Sequence, residues 1–460
     1  MVRHHRLDPF IITFALSSSL CACVGEQVDL GESTNPSTPR GSLCATSTSF
    51  EGNVTAGNQQ QLNELAGCEV ITGDLFIFPF FDPDFTPLAS LQRVGGTLDV
   101  GRLSFLDNLD PISDEEISRQ FALLDEGWIN SFEGFENLTS VGNLWLRGIL
   151  APDLAPLSNL RTLTDGGTLS IGPCLNLTTL EGLENLTGIL DVSLSCNSLV
   201  SLRGLSFPRS LRNLSVVAPA LTDLGDFDVE ELTSLQIYGT LLEDLDALEQ
   251  LTTAGSIDIY SNEWLRNADG LAGLEVVEEL TIAANGSLDH LSDFPALGHL
   301  GGLRVTSNAA LTRLPTFPTM QLEFENYEQT FSTPDDPDAW ANAGPSEIAR
   351  FTPDVVDISG NGSLEEVTLP VGWLGARTIE ITGNERLRSI TLTTTRSADY
   401  LAIGSNPQLE SIELGDLTRA SRLVVADNPL LPLEGFDDVQ SFDRLVTSGP
   451  AVPLPEEPAP

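Results

Sequence analysis

Lysine is absent from this chain. All 22 basic residues are arginine, against 66 acidic ones, and the net charge is −44. Such a field repels phosphate backbones and anionic lipid head groups, which argues against nucleic acid and against an electrostatic membrane contact. It favours solubility and resists self-association. Histidine is nearly missing: of four, only His290 and His299 lie beyond the first few residues. No GxSxG, HExxH or phosphate-loop pattern accompanies them, so no catalytic residue is assigned. Carboxylates are so abundant that a glycosidase-like pair could be drawn anywhere, which makes any such choice meaningless. No CxxC pair supports zinc. No EF-hand or GGxGxD spacing surrounds the acid clusters Asp82-Pro83-Asp84 and 335–338, so no metal and no cofactor are expected. Long hydrophobic runs are lacking too. The run Phe10 to Leu20 has 11 residues, well short of the roughly 20 that span a bilayer.

That short run follows Arg3, His4, His5 and Arg6, and precedes Leu20-Cys21-Ala22-Cys23. A basic start, an apolar stretch and a small residue before cysteine make residues 1–23 a secretion signal. The last four residues resemble a bacterial lipobox, with Cys23 as the acylated new N-terminus. Several acyl chains anchor stably, since each buried CH₂ contributes about 0.8 kcal/mol. Val24, rather than Asp, follows. By the sorting rule of some bacterial lipoproteins this implies the outer membrane or cell surface, with a periplasm-facing position the variant. Residues 24–43 are rich in Ser, Thr, Pro, Gly and acids and read as a flexible tether. Residues 447–460 form a Pro-rich tail expected to be disordered.

Between these ends one pattern dominates. An apolar-x-apolar triplet recurs about every 22 residues, as in Ile257-Asp258-Ile259, Leu280-Thr281-Ile282 and Leu303-Arg304-Val305. Seven times an asparagine lies five residues after the first anchor: Asn262, Asn285, Asn308, Asn361, Asn384, Asn406 and Asn428. A leucine follows three later, from Leu265 to Leu431. A fixed period of this length means stacked coils around one core. The triplet is a short strand, and the asparagine can bond the backbone that the following turn leaves unpaired. Only 14 residues separate Leu265 from Leu280, enough for a short helix or 3₁₀ turn. Anchors run from Leu75 through Leu98, Leu144, Leu169, Leu190, Leu214, Leu235 and Leu322 to Leu445, predicting about 16 coils of 22–23 residues over 44–446 with one long parallel sheet. Insertions near 101–141 and 325–354 interrupt the rhythm. The first is long enough to conceal a degenerate coil, and the second is a candidate lobe boundary.

The remaining cysteines fit an oxidising compartment. Cys44 and Cys68 flank the first coil and predict a disulfide-closed cap over 44–68. Cys174 falls in the asparagine slot, five after Leu169, and Cys196 lies one repeat later. Coils stacked about 4.8 Å apart bring such a pair within disulfide range. Seven Asn-x-Ser/Thr sequons include the ladder residues Asn285 and Asn361; a lipobox points to bacteria, where they read as ordinary repeat sequence.

The opening Cys44, Glu51-Gly52-Asn53-Val54-Thr55, Leu62-Asn63-Glu64-Leu65-Ala66-Gly67-Cys68 and Ile71-Thr72-Gly73-Asp74-Leu75-Phe76-Ile77 resembles that of receptor L domains. These are leucine-rich, β-helix-like modules of growth-factor receptors and of many secreted bacterial proteins. The later Leu-x-Ile…Asn…Leu coils resemble leucine-rich repeats in general. The resemblance implies a right-handed coil with few short helices. It implies no ligand, and without a kinase or cysteine-rich module no receptor signalling.

Function then lies on a surface. The middle residue of each triplet points out of the core: Phe76, Asp99, Trp145, Ser170, Asp191, Ser215, Gln236, Asp258, Thr281, Arg304, Glu323, Asp357, Glu380, Ala402 and Val424, mostly polar and often acidic. Tyr238 and Tyr260 sit side by side two positions further on. Trp145, Tyr238, Tyr260, Asp258 and Arg304 form the candidate binding face for a protein or a glycan. The expected function is non-enzymatic envelope binding or adhesion. One rival is a polysaccharide lyase on a parallel β-helix, disfavoured by a lysine-free face with Arg304 alone. The other is a structural spacer without a ligand. Replacing Cys23 by Ser is expected to abolish metabolic palmitate labelling of the chain; undiminished labelling would refute the anchor.

Overall fold

The computed structural model describes residues 27–29, 41–78, 82–101, 128–164, 166–318, 354–369, 377–392, 397–415 and 417–447. The signal with Cys23, Leu322 and Glu323, both insertions' central parts and the tail lie outside these. The chain divides into two compact units at Ile189/Leu190, and the 325–354 insertion falls within the second. Each unit is a parallel β-solenoid with almost no helix, and the two contain about 15 turns in all. The only α-helix among the described residues is α1, Gln59–Asn63, capped by the Asn58 side chain on the Gln61 N–H.

In the first unit the main sheet runs β1 Gln27–Asp29, β2 Asn53–Ala56, β3 Leu75–Ile77, β4 Thr97–Val100, β5 Asn143–Leu146 and β6 Thr168–Cys174, each pairing in parallel with the next. A second parallel sheet of five two-residue strands, from Ser49–Phe50 to Thr162–Leu163, forms the other wall. The registers put Val54, Leu75, Leu98, Leu144 and Leu169 in one inward column. All are at most 1% exposed, and each buried aliphatic side chain contributes about 1.5–3 kcal/mol. Phe85, Phe132 and Phe135 cluster behind them, with Phe85 and Phe135 at 5.1 Å between ring centroids. Cys44 and Cys68 form a disulfide with Cα atoms 5.1 Å apart. Cys174 here and Cys196 in the second unit are both disulfide-bonded.

One sequence expectation changes in this unit: residues 27–29 of the expected tether are a strand on the outer edge of β2. β4 pairs with β5, Leu98 opposite Leu144, and Ile129 bridges Ile149; the coil weighed for the first insertion falls on residues outside those described.

The second unit stacks β7 Asp191–Cys196, β8 Ser210–Val217, β9 Glu231–Tyr238, β10 Thr253–Tyr260, β11 Val276–Ala283, β12 His299–Thr306, β13 Val355–Ser359, β14 Thr378–Thr382, β15 Ser397–Gly404, β16 Arg419–Ala426 and β17 Gln440–Val446. Two anchors differ from the sequence reading. Val192, not Leu190, pairs with Leu214; Leu190 is 42% exposed. β12 pairs with β13, Leu303 opposite Val356, and the expected anchor Leu322 lies outside the described residues. In β17 the core column receives Arg444 rather than Leu445. Its guanidinium donates to the Phe436 and Val439 carbonyls, closing the end of the column with a charged head and an apolar stem.

The seven asparagines are 0–1% exposed and form one continuous ladder. Asn308 shows the unit of it. Its backbone N–H donates to the Asn361 Oδ1 at 3.0 Å and its Nδ2 to the Ile282 carbonyl at 2.8 Å. Its own Oδ1 accepts the Asn285 backbone N–H at 3.0 Å and Nδ2 at 3.2 Å. Before every ladder asparagine the chain turns through positive φ: Ser261, Ala284, Ser307, Gly360, Gly383, Ser405 and Asp427, between 53° and 69°. That conformation is unfavourable by about 1–2 kcal/mol for a residue with a Cβ, and the ladder bonds hold it. At one end Gly239 makes the same turn (φ 62°) and Thr240 takes the slot, donating its N–H and hydroxyl to the Asn262 Oδ1 at 2.9 and 2.7 Å. Asn285 and Asn361 are 0% exposed, so neither sequon can carry a glycan in this fold.

Asn308→Ala leaves a backbone N–H and a carbonyl unanswered in a dry column. The expected loss is roughly 2–4 kcal/mol, read as a lower urea midpoint at unchanged slope.

Candidate binding face of the second unit

Because the ladder fixes one register through successive coils, side chains of equivalent position line up. The outward column runs Ser193, Ser215, Gln236, Asp258, Thr281, Arg304, Asp357, Glu380, Ala402, Val424. Asp191, expected in this column, lies two positions earlier in its strand, pairs with Asn213 and binds the Arg212 guanidinium. Its place is taken by Ser193. Two positions beyond Gln236 and Asp258 stand Tyr238 and Tyr260. They are register partners whose rings stack at 5.4 Å between centroids and 6° between planes. Parallel coils about 4.8 Å apart impose that stacking on any two aromatic rings in equivalent positions.

The middle of the column is half-buried, and this decides its electrostatics. Burial raises the Asp258 carboxyl above its ordinary value; hydrogen bonds from Thr281 and Gln236 oppose the shift, Glu279 adds to it, and Arg304 opposes it. Burial also raises Asp357, opposed by the Ser359 hydroxyl at 2.7 Å and by Arg304. Glu380 is raised by burial and then by the Asp357 charge. Tyr400, beside Glu380 in the next coil, is raised by burial and by that carboxylate, while the Arg422 guanidinium lies 5.6 Å from its ring centre. Arg304 is the single cation of the outward column among the described residues. It pairs with Glu279, one position before the anchor of the preceding strand. The sequence period does not reveal Glu279, because the triplet centres alone mark the outward face and the diagonal reach from Arg304 is not part of the period.

Tyr238, Tyr260, Asp258 and Arg304 thus share one face over neighbouring coils. Trp145 does not join them. It belongs to the first unit, where its column is Thr55, Phe76, Asp99, Trp145 and Ser170. There the Arg147 guanidinium lies 4.7 Å over the indole and 3.7 Å from Asp99. Asp99, at an outward strand position, and Arg147, just after β5, are only 8% and 9% exposed. The Trp145 Nε1 is buried and finds no acceptor among the described residues. The indole as a whole is half-buried, with the Arg147 guanidinium over its ring.

His290 bridges Asn267 and lies against Asp289 at 2.5 Å and Asp269 at 3.5 Å, and His299 meets Glu278 at 3.2 Å. Among the described residues no group of three or more His, Cys, Asp or Glu could hold a metal ion, and no helix is long and apolar enough to cross a membrane. No family model matches the chain, and no curated protein shows a significant match to it.

A carboxyl whose folded pKa is raised stabilises the fold only while protonated. That contribution is complete below the ordinary carboxylate value and is lost as pH rises through the raised one. Glu380→Gln is therefore expected to raise the urea midpoint at pH 7 relative to the native chain. The gain should shrink as pH falls through the raised value and be gone below the ordinary glutamate one. A variant less stable at pH 7, or a pH-independent gain, would contradict the burial argument.

Proposed function

We propose that the chain is a non-catalytic binding protein of the cell envelope, lipid-anchored through Cys23, which holds its ligand on the outward sheet face of the second unit. The observation that carries this reading is the half-buried polar column Gln236, Asp258, Thr281, Arg304, Asp357 and Glu380 flanked by the stacked Tyr238 and Tyr260. Amide, carboxylate, hydroxyl and guanidinium groups beside an aromatic wall suit the hydroxyls and apolar faces of a sugar. A basic protein segment is the second ligand reading, supported by the carboxylates. The glycan is favoured because the exposed large hydrophobic residues of the second unit, Leu190, Val200, Leu241, Trp264, Leu430 and Phe442, are absent from this column, whereas protein interfaces draw most affinity from desolvated aromatic and apolar anchors.

The finer fold assignment, a receptor-L-domain-like or leucine-rich coil, is supported by the disulfide-closed first coil over 44–68 and by the ladder slot five residues after each anchor. A lyase would need a cationic neutraliser at the reacting carbon; Arg304 is already engaged by Glu279. Turnover of any member of a polysaccharide panel would overturn the non-catalytic reading.

Tyr238→Ala with Tyr260→Ala is expected to weaken binding to cell-surface glycan extracts by about tenfold, from the 0.5–1.5 kcal/mol that each aromatic contact supplies. Asn308-containing coils remain intact in this variant, so circular dichroism should not change. Undiminished binding would remove the tyrosine patch from the site, and no binding by the native chain would favour a spacer.

A further inference from the structure

The structure assigns residues 27–29 a task that the tether reading omits. They add a parallel strand to the outer edge of β2, Gln27 opposite Asn53, Val28 opposite Val54 and Asp29 opposite Thr55. Without β1, that edge would present the unpaired N–H and C=O groups of β2, a template for any passing strand. The same end is closed by the Cys44–Cys68 disulfide and by α1, which follows β2 directly. The first unit is thus capped at this end by three devices, one of which comes from the chain before the cap.

We propose that β1 is a clamp that covers the N-terminal edge of the first unit and holds that end against the lipid surface in which Cys23 is anchored. The membrane half of this inference rests on the proposed acylation of Cys23. The clamp half rests on the strand pairing alone. A free tether of the 20 residues 24–43 would have a root-mean-square reach of about 25 Å and several times that when extended. With Gln27 fixed on β2, only the steps from Cys23 to Gln27 remain, a covalent reach of at most about 14 Å. The difference decides whether the solenoid stands off the bilayer or meets it end-on. The acidic chain, with Glu51 exposed beside this edge, selects a zwitterionic surface over an anionic one.

The test uses the mature full-length chain acylated at Cys23 and a variant carrying Gln27→Pro, Val28→Pro and Asp29→Pro, which cannot donate backbone hydrogen bonds from β1. Hydrogen exchange at Asn53 and Thr55 should be on the order of tenfold faster in the variant, since their amides face β1, whereas the Val54 N–H is held by the Asp74 carbonyl at 2.8 Å and should change less. Equal exchange would overturn the clamp, whichever residue is acylated. On phosphatidylcholine vesicles with a head-group acceptor dye, a donor placed at Ser47 should transfer energy severalfold more efficiently in the native sequence than in the variant. Equal transfer, with the exchange difference intact, would overturn the membrane half. Absence of palmitate label at Cys23 would instead refute the anchor while leaving the exchange result to judge the clamp.

Discussion

A buried asparagine side chain is tolerated only when its carbonyl and both amide hydrogens are answered, because an orphaned polar group in a dry column costs about as much as several good contacts return. In the second unit the answer to each asparagine from Asn262 to Asn406 is the next asparagine, and Asn428 ends the series on the Ile403 and Ala426 carbonyls. The Asn262 Nδ2 donates to the Ile237 carbonyl, the Tyr260 carbonyl and the Asn285 Oδ1. Every link therefore spans three coils, and no coil can slip by one residue without stranding donors in its neighbours. The left-handed turns at Ser261, Ala284, Ser307 and Ser405 are tolerated for that reason alone: the backbone is strained locally so that the amide faces inward. The ladder converts a loose hydrophobic period into a fixed register.

The outward face inherits that register. Hydrophobic burial would be nearly indifferent to a small rotation of one coil, since leucine, isoleucine and valine pack interchangeably in the inner columns. Hydrogen bonds across coils are not indifferent, and through them Asp258, Arg304, Asp357 and Glu380 fall into one line. The tyrosine stack follows from the same spacing. It requires no attraction beyond what two rings in equivalent positions of adjacent strands already have. The outward face is thus a by-product of a constraint on the inside, and its residues can vary without disturbing the coil.

Much of this is legible in the sequence, and what is not has physical causes. The asparagine five residues after the anchor marks every coil from Ile257 to Leu423. A polar residue recurring at fixed spacing among apolar anchors needs a partner, and its counterpart one coil away supplies it. The period misplaces the β7 coil by two residues. Leu190, Val192 and Leu194 alternate, and alternation alone cannot choose which pair faces inward. Counting back five from Asn197 chooses Val192, although Asn197 itself is exposed and Cys196 turns inward instead. Arg444 in a core column is illegible for another reason: at the end of a stack the inward position borders solvent and bare carbonyls, where a guanidinium is better than leucine.

The two units use equivalent outward positions to different ends, and the difference lies in charge pairing. In the first, Asp99 and Arg147 are mutually neutralised and almost fully covered, with the Trp145 ring beneath the guanidinium. An interaction satisfied within the chain leaves little for a ligand to gain. In the second, Arg304, the one cation of the column among the described residues, is held by Glu279, beside the column rather than in it. Asp258, Asp357 and Glu380 are left half-buried, with carboxyls that burial makes reluctant to ionise. Groups in that state gain most from a partner that brings hydrogen-bond donors or positive charge, since such a partner restores what desolvation removed. Under the reading proposed above, a ligand held by the second unit would return to these three carboxyls part of the stabilisation that burial removes.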